Sequence, residues 1–355
     1  MKHTASGQAM AVLAIVSGLA AGCGDNDSLP PESTDPSSVP IATFSGDALF
    51  VVNGGSHSIS VVDAGINRVV GTIALVNVLY PHHAYLDPHD STIVVAAPGL
   101  DLSEGHGGHG SDTMGSVLVL DAYTGVTRAA RRLEHPNHNA VPSPNGNEIW
   151  TSQMSSPGAV LILDRSTLST LHVVPVGDMP SEVTFTEDGR YAFVANTNSA
   201  SVSVIDADTK SLVATISVGD GPVGAWPASN GVMYVDNEHE QSLTAIDGTS
   251  LSVIGTYDLG FTPGMAALAP NGELWVTDAG NGKVVFFRSD DDLRLGELAT
   301  GAGAHAIAFA DSGQIAYVSN QSAGTVSAIL VATHTIAHTI YVGTQPNGLL
   351  FRPGQ

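Results

Sequence analysis

One cysteine among 355 residues leaves no partner for an intrachain disulfide and no Cys-X-X-Cys-His haem attachment. Aromatic residues are scarce, at 6%, and basic ones are outnumbered: 12 Lys and Arg face 34 Asp and Glu, a formal charge of −22. A surface of that sign repels phosphate backbones and anionic headgroups, which sets nucleic acid aside as a partner. The apolar run from Ala9 to Ala21 is too short to span a bilayer as a helix. What is abundant is glycine, 39 residues, beside 43% hydrophobic residues, a mixture that suits many short strands and tight turns.

The stretch from Met179 to Asp220 shows how those residues are used. SEVTF leads through Glu187-Asp188-Gly189 into YAFVAN, then VSVID, then LVATISVG. β-branched and aromatic residues suit a pleated, half-buried surface, and Asp-Gly reverses the chain tightly. One such four-stranded sheet cannot bury both faces alone and needs similar neighbours. The chain supplies them: Pro222, Pro263, Ala304 and Pro346 follow Pro180, each opening a comparable run, with MYVDN, LWVTD and AYVSN as second runs. A period of roughly 40 residues with four strands per unit is the signature of a β-propeller.

Tyr317-Val318-Ser319-Asn320, with Val326 to Ile329 and the closing Tyr341-Val342-Gly343, resembles the YVTN family of β-propeller repeats. The resemblance covers nearly all of the chain beyond its N-terminal segment and speaks for fold, since propellers host many unrelated activities. ALFVVN, SISVVD and VVGTIAL are the last three strands of a first unit without its own opening run, and Pro346–Phe351 is an opening run with nothing after it. Joined, they complete one blade and close the ring. The other blades begin near residues 80, 136, 179, 221, 262 and 303. The expected fold is therefore all-β: a seven-bladed propeller over 42–355, with four-stranded antiparallel blades and one blade shared by the two termini.

Ahead of the ring, residues 1–22 read as a signal peptide. Their end, Leu19-Ala20-Ala21-Gly22-Cys23, resembles a bacterial lipoprotein signal, which implies acyl chains on Cys23 and a membrane anchor without a span. Residues 23–41, with Pro, Ser and acid and little that is apolar, read as a flexible tether. The implied location is the cell envelope, facing periplasm or surface from the outer membrane, as a monomer.

Most of the repeated acids have a structural reading. Asp63, Asp121, Asp164, Asp206 and Asp247 recur at the end of the third strand, where a short carboxylate accepts from the backbone two residues on. Calcium would need several oxygens from one loop, and these lie one per blade. Ser289 to Asp292 is a denser acidic loop that reads as a solvated turn.

The histidines carry the chemistry. The position after each opening Pro, or its substitute, holds His82, His138, Ser181, Val223, Gly264, His305 and Asn347. Opening strands line a propeller's channel, so these residues approach one axis, and three neutral imidazoles there are suitable ligands for copper or zinc. By strand alternation, His83 and Glu182, one place further on, point elsewhere. The loop from Pro98 to Thr113 adds His106 and His109 within His-Gly-Gly-His, and His57, His135 and Glu238-His239-Glu240 occupy comparable loops. His89, His172, His334 and His338 read as surface residues.

Two functions fit. The first is a lipid-anchored, non-catalytic binding or scaffold module for a protein, small molecule or metal. The alternative is a propeller enzyme or cofactor carrier. The fold is similar to lactonase propellers, to the propeller of nitrous oxide reductase and to haem-binding nitrite reductases. Nitrous oxide chemistry calls for a cupredoxin-like domain and a fuller histidine set. A haem site calls for basic residues, and none of the seven aligned channel positions is Arg or Lys. For a lactonase, Glu182 with one histidine could activate water, although no paired carboxylates stand out.

Overall fold

The structure is a computed structural model that describes residues 34–87, 89–103 and 113–355. Seven antiparallel sheets are arranged as a ring. The chain enters through Ser37–Val39 (β1) and lays down Ala48–Asn53 (β2), Ser58–Asp63 (β3) and Arg68–Val76 (β4). Blade 2 runs from Ala84–Asp87 (β5) to Thr127–Arg132 (β8), and blade 3 from Ala140–Pro142 (β9) to Thr170–Pro175 (β12). Blade 4 spans Pro180–Phe185 (β13) to Ser211–Ser217 (β16), and blade 5 Pro222–Pro227 (β17) to Ser252–Asp258 (β20). Blade 6 spans Pro263–Leu268 (β21) to Arg294–Ala299 (β24), and blade 7 Ala304–Phe309 (β25) to Thr335–Tyr341 (β28). Pro346–Arg352 (β29) then pairs antiparallel with β2, so the sheet order in blade 1 is β1-β4-β3-β2-β29.

Burial explains why the units need one another. Second and third strands are buried along nearly their whole length, whereas outer strands alternate exposed and half-buried residues. Clusters of apolar side chains lie between blades: Tyr234 and Tyr257 of blade 5 pack with Leu274 and Phe287 of blade 6. A blade alone would expose these faces to water, and burying each large side chain is worth roughly 1.5–3 kcal/mol.

Buried polar side chains fix the turns. The asparagine ending the second strand points its amide at two hydroxyls of the third: Asn196 Nδ2 donates to Ser201 Oγ at 3.2 Å and Ser203 Oγ at 3.0 Å. Asn53, Asn237 and Asn320 repeat the arrangement. The glycine after the preceding outer strand covers this amide, and a Cβ at Gly177 would stand 2.6 Å from Asn196 Cγ. At the opposite turn the recurrent aspartates accept as expected, from Gly65 N at 2.8 Å onto Asp63 and from Tyr123 N at 3.0 Å onto Asp121. Burial pushes the Asp121 carboxyl up, but the Arg128 guanidinium, the Thr124 hydroxyl and the backbone donors outweigh it and hold its pKa at about 2; the Ser166 hydroxyl and the Thr167 N–H and hydroxyl bring Asp164 to about 2.

The N-terminal segment departs from expectation. Residues 1–33, including the signal region and Cys23, lie outside the described residues, but 34–41 do not behave as a tether. β1 pairs with β4, Ser38 Oγ donates to Gly125 O at 2.6 Å, and Ile41 packs against the core between blades 1 and 2. Ile41 supplies the apolar contact that composition over the whole 23–41 window obscured.

Arg352 locks the clasp. It is 2% exposed, and its guanidinium donates to Ala122 O (2.7 Å), Phe44 O (3.0 Å) and Gly46 O (2.6 Å) while lying over the Tyr123 ring. Arg352→Met keeps the bulk and removes the donor from the buried Ala122 carbonyl and the more exposed Phe44 and Gly46 carbonyls, so it is expected to lose about 1–3 kcal/mol in urea unfolding. A change within about 0.5 kcal/mol, the range of ordinary surface substitutions, would show that the clasp does not depend on it.

Candidate functional site

In blades 1, 4, 5, 6 and 7 the inner strand begins with a bulge. In blade 4 the register passes from Pro180↔Asn196 to Val183↔Val194, so Ser181 and Glu182 together face Ala195. The same slip sets Val223 and Gly224, Gly264 and Met265, His305 and Ala306, and Asn347 and Gly348 opposite single residues. In blade 2, His82 N donates to Ala96 O at 2.9 Å and Ala96 N donates to His83 O at 3.0 Å. A bulge re-aims the side chains it carries. Alternation therefore fails at these positions, and the expectation that His83 and Glu182 point away from the axis is corrected: both join it.

Four imidazoles meet there. Ring centroids lie 4.3 Å apart for His82 and His138, 4.6 Å for His82 and His83, and 5.4 Å for His82 and His305. One ligand nitrogen from each of His82, His83 and His138 can be chosen so that all three lie within 4.8 Å of one another. Glu182 enters from blade 4, with Oε1 2.8 Å from His138 Nδ1 and 3.0 Å from His83 Nε2. All four residues are buried. The sequence-derived trio is thus gathered in one cluster, but His83 rather than His305 completes the tightest group.

Neighbouring backbone holds the cluster. Asn139 works as a peptide mimic across the blade 3–4 boundary: Val183 N donates to its Oδ1 at 3.0 Å, and its Nδ2 donates to Val183 O at 2.9 Å. This fixes Glu182, one residue back, against His138, one residue before Asn139. Blade 1 closes in at Gly348, whose N donates to His82 O at 2.8 Å. A Cβ there would meet that oxygen at 2.6 Å, so only glycine lets the two bulges touch.

A second carboxyl stands nearby. Asp236, facing the bulge of blade 5, is fully buried; its Oδ1 accepts from Trp226 Nε1 at 2.5 Å and Gly224 N at 3.1 Å. Its Oδ2 has no hydrogen-bond partner among the described residues. Burial, then the charges of Glu238 and Glu182, push its pKa well above the usual carboxylate range. Burial and Glu182 likewise push the Tyr85 hydroxyl up. Equivalent positions in other blades carry hydroxyls that stitch to the next blade, Thr277 Oγ1 to His305 O at 2.6 Å and Ser319 Oγ to Asn347 O at 2.7 Å. Aligning second strands rather than first ones was the signal that would have singled Asp236 out.

From His83 a cavity of about 690 Å³ runs along the inner strands toward the face where they end. Tyr85, Trp226 and Met265 line it near His83, and His89, Ser143 and Phe351 lie among its other lining residues. His89 is exposed, as the sequence reading expected, and also lines the cavity, with Nδ1 2.9 Å from Asp87 Oδ1. His334 is half-buried; it stacks on Phe286 at 3.9 Å and pairs with Glu273. His57 packs edge-on against Tyr80, and exposed His239 faces Asp220 at 3.6 Å, apart from the cluster. His106 and His109 lie outside the described residues.

No protein-family profile matches the chain. Over 117 residues it is 28% identical to the seven-bladed beta-propeller protein Rv1057 of Mycobacterium tuberculosis; the match spans 32% of this chain and 29% of that protein. The periplasmic gluconolactonase PpgL of Pseudomonas aeruginosa superposes with a TM-score of 0.70 at 19% identity, over 87% of this chain and 99% of that one. A putative 6-phosphogluconolactonase of Bacteroides fragilis gives 0.65 at 15% (91% and 99%), and the hydrazine synthase of Kuenenia stuttgartiensis 0.66 at 17% (88% and 99%). At these identities the likeness is one of fold.

The state of Asp236 can be read from stability. Its pKa is raised in the folded chain, so its contribution is complete below about pH 4, the unfolded value, and is withdrawn as pH rises through the folded one. Asp236→Asn stays neutral and keeps the acceptor for Trp226. It is expected to unfold at higher urea than wild type at pH 8 and to lose that advantage at pH 4. An equal difference at both values would mean that the carboxyl titrates normally.

Proposed function

We propose that the protein is an exported, lipid-anchored β-propeller of the YVTN type that binds one zinc or copper ion at the inner end of its channel. The observation that carries this reading is the packing of His82, His83 and His138 with Glu182 Oε1 between two of their nitrogens. Zinc–nitrogen and zinc–oxygen bonds of 2.0–2.2 Å give a tetrahedral ligand–ligand edge of roughly 3.4 Å. Separations of 2.8 and 3.0 Å from Glu182 to two imidazoles need only small shifts to reach that edge. Burial of all four side chains favours borderline ligands over water as the ion's shell. His305 would belong to the outer surroundings of the ion, with Asn139 keeping Glu182 in place. The role is that of a binding module, with acyl chains on Cys23 keeping it at the envelope and a net negative surface keeping it off nucleic acid.

A second reading has its own support: the gluconolactonase-like ring, and a carboxylate held between imidazoles where the cavity reaches His83. Glu182 is then the base that activates water, and turnover of a lactone or ester, lost in Glu182→Gln, is the distinguishing assay.

For the first reading, the purified soluble domain is expected to retain one zinc or copper per chain after loading and desalting, measured by plasma mass spectrometry. His83→Ala and His138→Ala should abolish retention, Glu182→Gln should weaken affinity about 10–100-fold, and His305→Ala should cost less than either histidine ligand. Failure of wild type to retain either metal removes the proposal. Separately, mass spectrometry of the envelope-extracted chain should find acyl chains on Cys23 that Cys23→Ala lacks; an unacylated mature N-terminus would reject the anchor.

A further inference from the structure

The cavity has a chemistry of its own, distinct from that of the imidazole cluster behind it. Among the described residues its wall has no Lys, Arg, Asp or Glu; the titratable groups it presents are His83, Tyr85 and His89. Along the cavity the inner strands contribute Leu86, Val141, Phe185, Leu268, Leu349 and Phe351, so its surface is mainly apolar, with Ser143 and His89 among the polar exceptions. A volume of about 690 Å³ falls within the range that holds a small organic ligand. Polar atoms near His83 come from that imidazole, the Tyr85 hydroxyl and Thr184.

From this we infer that the channel binds an uncharged, mainly apolar small molecule with one polar head, the head directed to His83 and the tail along the inner strands. The inference rests on reading the channel as the working site, but not on the metal. Each alternative class meets an obstacle in the wall. A phosphorylated or carboxylated ligand finds no cation to pair with, in a chain of formal charge −22. A polyhydroxylated sugar would lose its water hydrogen bonds to walls without enough donors and acceptors to replace them, at roughly 1–3 kcal/mol for each group left unmet. An organic ammonium finds no carboxylate among the described lining residues, since Glu182 is buried against His83 and His138. An apolar tail gains about 25 cal/mol for each Å² withdrawn from water.

Two lactones that share a ring but differ in polarity test the idea: δ-dodecalactone and glucono-δ-lactone. Each is titrated against protein carrying N-phenyl-1-naphthylamine, a neutral apolar fluorophore. The fluorophore should brighten on binding, and dodecalactone should displace it at a concentration at least 100-fold lower than gluconolactone. Leu349→Glu and Leu268→Glu put a carboxylate on half-exposed wall positions that tolerate one, and each should weaken fluorophore binding at least tenfold with cooperative unfolding retained. Absence of fluorophore binding, equal competition by the two lactones, preference for gluconolactone, or binding indifferent to both wall variants overturns the inference. Metal content is measured on the same samples. Protein that takes the fluorophore but no metal refutes the metal reading alone, and protein that takes metal but no fluorophore refutes this one alone.

Discussion

The pairing of β29 with β2 is the constraint on which the molecule depends. Six blades are continuous in sequence, and the seventh exists only because the last strand crosses to the first unit. Without that pairing, β2 would present a row of unsatisfied backbone groups, and the inner strands would have no common axis. Arg352 shows how heavily the join is secured, since a guanidinium is buried there to satisfy carbonyls of the N-terminal segment and of blade 2 together. The same closure brings Gly348 against His82, so the ring's seam runs beside the imidazole cluster.

Much of this was legible in the sequence. Strand order, the shared blade and the turn aspartates follow from periodicity and turn chemistry, because each is set by local residues repeated many times. Convergence of His82, His138 and His305 was legible for the same reason. His83 and Glu182 were misread because alternation holds only where the ladder is regular, and a bulge has no signature in the residue types that form it. Asp236 was missed because its significance lies in what surrounds it: the same position takes Thr277 and Ser319 in blades 6 and 7, and only three-dimensional burial pushes the pKa of a carboxyl there upward. The tether was drawn too long because Ile41, which packs on the core, and the strand pairing of Ser37–Val39 were averaged with acidic neighbours.

The comparisons and the site speak about different things. Rings of nearly the same extent occur in a gluconolactonase and in a hydrazine synthase, so shared architecture alone does not choose a reaction. The residues do more to narrow it. A carboxylate clamped by two imidazoles, with Asn139 locking its backbone, is a pre-organised polar centre behind an apolar approach. Separation of these regions allows ion and organic ligand to be considered independently.

The bulge has an evolutionary consequence. Residues inside it are the ones that the regular ladder leaves over, so most of them, Gly348 apart, can be exchanged without disturbing strand pairing, and blades 1, 4, 5, 6 and 7 each offer two such positions. A lineage can therefore rewrite what meets at the centre by changing a few adjacent codons while selection keeps the rest of each repeat recognisable. Similarity averaged over whole repeats dilutes those codons, and classification of such rings gains by weighting them.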